Sequence, residues 1–414
     1  MIPRPEPRSG IPKRHARREA WRHRTAALLL VAPLLIFLGF TFLAPIGSML
    51  FRSVHNPEAA QLIPRTLDAM GSWEGSGLPP ASVRTVFATE LRSLFGERRS
   101  GRLGAEVNRV MPGASSAIQT AGRRLSGMPT TQVEANGAAL LSGIHSAWGE
   151  PQIWQALNEA GRTFTDRNFL TALDLERAAD GGVQARASAR IYIDLYVKTL
   201  RMALIIMIAT LALGYPLAFF LAHLRTRRAN VLLVFVLLPF LTSLLVRTTA
   251  WITLLQTHGM VNSTLLWLGA IDEPVTWLYT EFATVLAMTH ILLPFMVLPL
   301  YAVMRGIDPS HMRAALSLGA RPLRAWWTVY LPASLPGLMA GAMLVFIISV
   351  GYYITPALVG GTDGQMISNL IAFHMTQSNN WGLAAALGSL LLALILVLYF
   401  IFDRLAGAGR FTPG

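Results

Sequence analysis

Side chains able to bind nucleotide phosphates or metal ions are almost absent from this sequence. Lys13 follows Pro12 and Lys198 follows Val197, so neither lysine stands in the Gly-Lys-[Ser/Thr] end of a P-loop, which cradles phosphates. The chain has no cysteine, which excludes thiolate metal sites and cysteine nucleophiles. Its nine histidines show no HExxH or comparable spacing. We therefore expect no catalytic residue, metal or cofactor in this chain.

The remaining candidates for chemistry are polar side chains inside long apolar stretches. Such groups are costly within a bilayer and often line a substrate path. Arg247 has two interpretations, a place on the path or a structural pairing with a carbonyl or with an outer acid such as Glu281. His290 and His374 are single histidines, more typical of hydrogen-bonded or pore-lining groups than of ligands. The candidates for the path are Ser243, Arg247, Thr248, Gln256, His290, Tyr352, Tyr353 and Thr355.

Acidic residues are missing from the interiors of the same stretches. Ion-coupled transporters use ionisable groups inside the membrane to relay protons or to hold cations. Glu281 lies near the end of an apolar stretch, where an interfacial position explains it. The energy for any transport is therefore expected to come from another subunit.

Composition indicates that these stretches cross a membrane several times. Hydrophobic residues make up 53% and charged residues 14% of the 414 positions, and the mean hydropathy is +0.46, which is typical of a polytopic membrane protein. A helix needs roughly 20 apolar residues to span the bilayer core. Six segments qualify, and we predict an all-α fold with six transmembrane helices at about 26–50, 197–222, 230–254, 277–303, 334–358 and 382–402.

Arginine placement predicts the orientation of these helices. With both termini in the cytoplasm, the inner segments hold 17 basic and four acidic residues, and the short outer loops near 257–276 and 360–380 hold no lysine or arginine. This distribution follows the positive-inside rule. The basic N-terminus 1–25 could suggest nucleic acid, but beside a first span it is better explained as a topology signal that touches anionic lipid. The C-terminal tail, 403–414, is also predicted to be cytoplasmic.

The outer segment 53–195 is a large insertion between the first and second spans. It contains 14 basic and 14 acidic residues, as expected of a soluble surface. Stretches such as SVRTVFATELRSLFG repeat apolar residues at helical spacing. We predict a mostly helical periplasmic subdomain, and the sequence leaves open whether it docks a partner or only packs on the membrane part.

A short arginine-bearing segment, 308–332, lies between the fourth and fifth spans. Asp308 can cap a helix whose first position suits Pro309, and residues 310–318 then form a short helix. Gly319 can adopt a left-handed conformation and end that helix. The segment therefore begins as a helix followed by a tight turn.

A second short helix is predicted to open at Pro322, to run through Trp326, Trp327 and Tyr330, and to stop at Pro332. Interfacial aromatic residues in a tight loop would explain the two tryptophans alone. Small residues before the turn instead favour a helix that enters a groove of a partner protein. The second interpretation explains more of the segment.

These residues resemble the loop signature of the permease subunits of bacterial binding-protein-dependent ABC importers, Glu-Ala-Ala, three residues, Gly, and a helix that ends in Leu-Pro. Ala314, Ala315, Gly319, Leu331 and Pro332 match it, whereas Arg313 occupies the glutamate position and puts in doubt a salt bridge expected there. Further segments, 237–269, 290–310, 351–371 and 379–388, look like the spermidine/putrescine branch. The resemblance spans roughly 190–405, so it does not cover the insertion. The residues that it assigns to ATPase coupling are Arg313, Ala314, Ala315, Gly319, Pro322, Trp326, Trp327, Leu331 and Pro332.

The resemblance implies a type I ABC importer permease fold, with a five-helix core at 197–402, in the bacterial inner membrane. It implies an ABC ATPase dimer that holds ATP and magnesium, a second homologous permease, different rather than identical, and a periplasmic solute-binding protein. Many polyamine-type members carry an acid near Tyr352 and Tyr353, and this chain has none. A polyamine-like solute and an amino-acid derivative or opine both remain open. The alternative from another class is a membrane sensor that detects a ligand with the insertion.

Overall fold

The computed structural model describes residues 30–177, 182–186 and 190–407. The predicted N-terminal segment 1–25 and most of the tail 403–414 lie outside these residues. The chain divides into two units, Met1–Arg52 and Ser53–Gly414. The first apolar helix, α1, spans Leu30–Val54 and is long and apolar enough to cross a membrane.

The insertion folds around a helical core of its own. Phe87, Trp148 and Trp154 are fully buried, and their ring centroids lie 5.0 to 5.4 Å apart. Large aromatic side chains of this kind dominate the apolar area that a small core buries. The helices are α2 Glu58–Leu62, α3 Pro64–Met70, α4 Ala81–Gly96, α5 Ser100–Asn108, α6 Ala114–Ser126, α7 Thr130–Ile144, a 3₁₀ turn Ser146–Gly149, α8 Pro151–Ala160 and α9 Arg167–Ala172.

The prediction of a mostly helical insertion is confirmed, with one small exception. Strands β1, Leu175–Arg177, and β2, Val183–Ala185, form a two-stranded antiparallel sheet. Three-residue strands are too short to give a periodic sequence signal.

The insertion also packs on the helices that follow it. Ala172 of α9 is buried with Leu383 and Leu387. Arg109, directly after α5, donates from Nη2 to the carbonyl oxygen of Asn379, at 3.1 Å. The insertion therefore has its own core and also packs against the last helices of the chain.

The remaining helices form a bundle whose centre is made by three long ones. A Cβ added to Gly337 would lie 2.9 Å from the carbonyl oxygen of Pro299, so two of these helices approach as closely as a glycine contact allows. The helices of this bundle are α10 Tyr192–His223, α11 Thr226–Leu241, α12 Leu244–Leu255, α13 Met260–Trp267, α14 Glu281–Arg305, α15 Pro309–Ser317, α16 Pro322–Gly351, α17 Ile354–Val359, α18 Ile367–Thr376 and α19 Trp381–Gly407.

Five helices of the described residues are long and apolar enough to span a membrane, and a bent pair makes the sixth. The span predicted at 230–254 is broken, because helix Thr226–Leu241 and the following segment Leu244–Trp267 are bent by 90° at the break between them. Thr242 and Ser243 are extended at the break, and the Thr242 hydroxyl donates to the carbonyl oxygen of Pro239 at 2.9 Å. A proline near a helix end and a polar side chain that takes up a free carbonyl together favour such a break.

Candidate functional site

The segment between α14 and α16 forms the predicted helical hairpin. Asp308 caps α15, since its carboxylate accepts a hydrogen bond from the amide of Ser310 at 2.8 Å, and Pro309 takes the first helical position. The same amide hydrogen bond holds the pKa of Asp308 below its usual value. The start of the hairpin is therefore the one that the sequence predicts.

Gly319 ends α15 in the left-handed region, with φ of +87°. Its amide donates to the carbonyl oxygen of Leu316 at 3.0 Å, and the amide of Ala320 donates to the carbonyl oxygen of Ala315 at 3.1 Å. This pair of bonds is the Schellman motif, which takes up the last carbonyls of a helix. The prediction that Gly319 ends the helix is confirmed.

The second half of the hairpin does not stop at Pro332. Helix α16 begins at Pro322 and continues through Pro332 to Gly351. A π turn at Trp326–Tyr330 precedes the proline, and the amide of Leu331 donates to the carbonyl oxygen of Trp326, five residues earlier. The wider turn changes the hydrogen-bond register where proline would otherwise break it. The prediction of a helix stop at Pro332 is therefore wrong.

The two adjacent tryptophans have different surroundings. Trp326 is partly buried and lies edge-on to Tyr215 of α10, with ring centroids 5.7 Å apart. Trp327 is 57% exposed. Trp326 thus fastens the hairpin to the bundle, whereas Trp327 belongs to its open surface.

Exposed apolar side chains lie at the tip of this open surface. Leu318 is 89% and Leu323 is 71% exposed, on either side of the glycine turn. Arg313 and Ala314 are exposed, and no ion pair of Arg313 occurs within the described residues. Exposed apolar side chains grouped on one turn are typical of a contact surface for protein or membrane rather than of a solvated loop.

Arg305 holds the base of the hairpin. From the last turn of α14, its Nη1 donates to the carbonyl oxygens of Ala222 and Leu224 at 2.8 and 2.9 Å, and its Nη2 donates to the hydroxyl of Thr226 at 2.8 Å. These carbonyls belong to the end of α10 and to the turn that follows it. The hairpin thus emerges from a turn that a charge-assisted network makes rigid.

The predicted path residues fall into two groups. In the first, Trp251 of α12 donates from Nε1 to Nδ1 of His290 on α14 at 3.2 Å, and Arg247 lies one turn earlier on α12. Arg247 Nε and Nη1 are buried and have no hydrogen-bond partner within the described residues. Thr248 is buried, and its hydroxyl donates to the carbonyl oxygen of Leu244 at 2.8 Å.

The proposed pairing of Arg247 with Glu281 does not occur. Glu281 accepts a hydrogen bond from Nη2 of Arg201, on α10, at 2.5 Å. Arg201 lies one helical turn after Lys198 on α10, and no local pattern indicates its contact with α14. Trp251 was also missed as a site residue, although it follows Arg247 by one helical turn.

The second group lies at the break between α16 and α17. The carbonyl oxygens of Tyr352 and Tyr353 accept hydrogen bonds at 2.7 Å from the side chains of Ser368 and Asn369. Thr355 is buried, with no partner for its hydroxyl within the described residues. Ser243 and Gln256 are exposed at the two ends of α12, so they join neither group.

Comparison with known proteins places this bundle among transport proteins. Residues 214–408 match the family described as "Binding-protein-dependent transport system inner membrane component". The spermidine/putrescine transport system permease protein PotB of Escherichia coli (strain K12) is 35% identical over 218 residues, which are 52% of this chain and 79% of that protein.

One further curated permease and one solved structure are similar to this chain. PotB of Haemophilus influenzae is 33% identical over 52% of this chain and 75% of its own length. A solved bacterial alginate ABC transporter in complex with an alginate-bound periplasmic protein is 18% identical, with a TM-score of 0.44, over 53% of this chain and 79% of its own. The identity to the curated permeases covers most of their length. The chain therefore belongs to the family of binding-protein-dependent transport system inner membrane components.

Proposed function

We propose that this chain is the transport subunit of an ATP-driven importer, in which a separate ATPase dimer binds the hairpin 308–332. A second homologous permease and a periplasmic solute-binding protein would complete the complex, and ATP and magnesium would bind to the ATPases. Both termini and the hairpin would face the cytoplasm, and the insertion 53–195 the periplasm. Membership of a transport family favours this function over the sensor alternative.

The observation that carries the proposal is the continuity of α16. This helix starts in the exposed turn of the hairpin, at Pro322, and ends at Gly351, directly before the break that contains Tyr352 and Tyr353. Thirty residues of helix extend about 45 Å at 1.5 Å per residue. A movement of the hairpin would thus be carried along one continuous helix to a polar break at its far end.

The open surface of the hairpin has the chemistry of a helix-in-groove contact. Leu318 and Leu323 would enter apolar pockets of the ATPase, and Arg313 would meet an acidic side chain there. Ala314 and Ala315 would let the groove approach the helix closely. In this arrangement Arg313 requires an acidic ATPase surface. A glutamate at the same position would require a basic one.

For the solute we propose a small organic amine, either polyamine-like or an amino-acid derivative. Two relatives are named for spermidine and putrescine transport, which supports the amine. Aromatic faces such as those of Tyr352 and Tyr353 attract cations. Within the described apolar helices no acidic side chain lies at their interior positions, so charge alone would not hold a polyamine in the membrane.

The test is stimulation of ATP hydrolysis in the reconstituted complex. Leu318→Glu and Ala315→Trp are expected to abolish ATPase binding and solute uptake while the chain still inserts into the membrane, because Leu318 is not needed for packing inside the chain. Leu78→Glu, at an exposed leucine of the insertion, is the control and is expected to retain both. Normal coupled uptake in Leu318→Glu would refute the assignment of the hairpin.

A further inference from the structure

A cleft of about 970 Å³ opens in the surface of the insertion. Its walls belong to the insertion, except for Val54 at the end of α1. The volume suits a small organic molecule, since ligand sites typically enclose about 300–1,000 Å³. Aromatic and charged side chains line the cleft, among them Trp73, Glu74, Glu159, Arg162 and Phe164.

One wall of the cleft is the loop that follows α3, and hydrogen bonds hold this loop in place. Gln155 of α8 donates from Nε2 to the carbonyl oxygen of Gly75 at 2.8 Å. The indole Nε1 of Trp73 donates to the carbonyl oxygen of Ser76 at 3.3 Å. Trp73 is therefore positioned on the wall by contacts within the insertion.

A second wall is the extended segment between α8 and α9. The amide of Asn56 donates to the carbonyl oxygen of Thr163 at 2.8 Å, and the amide of Thr165 donates to that of Val54 at 2.9 Å. Between these two bonds the ring of Phe164 lies edge-on to His55, with centroids 5.0 Å apart. Both walls thus present an aromatic ring on a hydrogen-bonded backbone, and the cleft is formed without a ligand.

The charges of the cleft do not cancel one another. Asp166 pairs with Arg177. The side chains of Glu74, Glu159 and Arg162 make no hydrogen bond or ion pair within the described residues. Glu159 is also partly buried, where a carboxylate loses part of its hydration. Two carboxylates and one guanidinium therefore line the cleft without a counter-charge.

The charge complement of this set is a molecule with two cationic groups and one carboxylate. We propose that the cleft binds a basic amino acid or a derivative of one. Its carboxylate would pair with Arg162 and its two amines with Glu74 and Glu159, through charge-assisted hydrogen bonds. The rings of Trp73 and Phe164 add attraction for the cationic groups.

This inference rests on the proposed function, from which it takes an amine as the solute, and it narrows the class of that solute. A polyamine has no anionic group for Arg162, so the cleft favours the amino-acid derivative. Within the described apolar helices no acidic side chain lies at an interior position. The insertion therefore supplies the carboxylates that the membrane path lacks, at a site outside the membrane.

The test compares two probes that differ by one carboxylate, L-ornithine and putrescine. The full chain is purified in detergent without ATPases or binding protein, and each probe is titrated by calorimetry. A hydrogen bond between charged groups strengthens binding by about tenfold or more. We therefore expect saturable binding of ornithine, with a Kd about tenfold below that of putrescine.

Two variants separate the roles of the charges. Arg162→Gln is expected to weaken ornithine binding about tenfold and to leave putrescine binding equal or stronger, because the variant removes a repulsive charge. Glu159→Gln is expected to weaken the binding of both probes. Arg123→Gln and Glu134→Gln are the matched controls at exposed positions of the insertion outside the cleft, and both should bind as the unchanged chain does.

Three results would overturn the inference. No saturable binding of ornithine would identify the cleft as an ordinary solvated groove. Putrescine binding as tight as ornithine binding, or an equal loss of both in Arg162→Gln, would remove the role of the arginine. Phosphoethanolamine, which also joins an amine to an anion, is titrated as a third probe, and binding of this probe without ornithine would assign the cleft to a lipid headgroup.

Failure of this inference is distinguishable from failure of the proposed function. A reconstituted complex that couples ATP hydrolysis to solute uptake, but whose permease binds no ornithine, would contradict only the assignment of the cleft. Ornithine binding by a chain that forms no complex with an ATPase would contradict the transport function and leave the chemistry of the cleft in place.

Discussion

Substitution of Gly319 should lower both the stimulation of ATP hydrolysis and solute uptake, in proportion to the backbone strain that it introduces. The residue has φ of +87°, and a Cβ at this position would meet no atom within 4 Å. The cost of a side chain is therefore conformational and not steric. An L-residue in the left-handed region costs about 1–2 kcal/mol, whereas asparagine tolerates this region best after glycine.

The expected order of activity follows from these costs. A penalty of 1–2 kcal/mol lowers the population of the formed hairpin about 5- to 30-fold relative to its alternatives, so Gly319→Ala should reduce stimulated ATPase activity and Gly319→Asn should reduce it less. Gly319→Pro should abolish it. Proline fixes φ near −65°, and it removes the amide that donates to Leu316 at 3.0 Å.

The assay is ATPase stimulation and uptake by the reconstituted complex, with membrane content measured in parallel. Gly306→Ala is the matched control in the same segment, because Gly306 has a negative φ and its added Cβ would make only an ordinary contact with the carbonyl oxygen of Val303, at 3.5 Å. Normal coupled activity in Gly319→Pro, at normal membrane content, would refute the reasoning.

Three further predictions concern stability. Gly337→Ala should destabilise the bundle by about 1–3 kcal/mol through overpacking, seen as a lower melting temperature in detergent, whereas Gly388→Ala, with no atom within 4 Å of its Cβ, should not. Phe87→Ala should cost about 3–5 kcal/mol and make the insertion sensitive to protease while membrane insertion persists. Arg177 donates a hydrogen bond to the carboxylate of Asp166 and so lowers the pKa of Asp166. The folding stability that this bond adds is present above the ordinary aspartate pKa of 3.8. It is lost as the pH falls through the lowered pKa. Both side chains are about half exposed, so Asp166→Asn should remove less than about 1 kcal/mol, and only above that pH range, in thermal unfolding at pH 3 to 7.

The start and turn of the hairpin could be predicted from sequence because each depends on one residue with a local requirement. Asp308 before Pro309 specifies a capped helix start, and a glycine after a helix specifies a left-handed end. The mostly helical character of the insertion follows in the same way from apolar spacing. These signals lie within a few residues of the structure that they determine.

The features that could not be predicted from the sequence are of two kinds. Some depend on contacts between elements that are distant in sequence, and others on a nearby feature that offsets the effect of a local signal. Pro332 predicts a helix end by local rules, because proline has no amide hydrogen to donate. The π turn before it shifts the hydrogen-bond register, so α16 continues past the proline. The 90° bend after Leu241 lies inside an apolar run whose composition suits a single span. The pairs Arg201–Glu281 and Trp251–His290 join different helices, and their spacing in sequence carries no information about them.

The central claim is that transport by this chain is driven by ATP hydrolysed on another subunit. Its most direct measurement is solute uptake into proteoliposomes that contain the complete complex and the loaded binding protein, with ATP supplied only on the side of the hairpin. We predict uptake that requires ATP, persists when ionophores collapse all ion gradients, and disappears with Leu318→Glu. Uptake that proceeds without ATP and follows an imposed ion gradient would contradict the account.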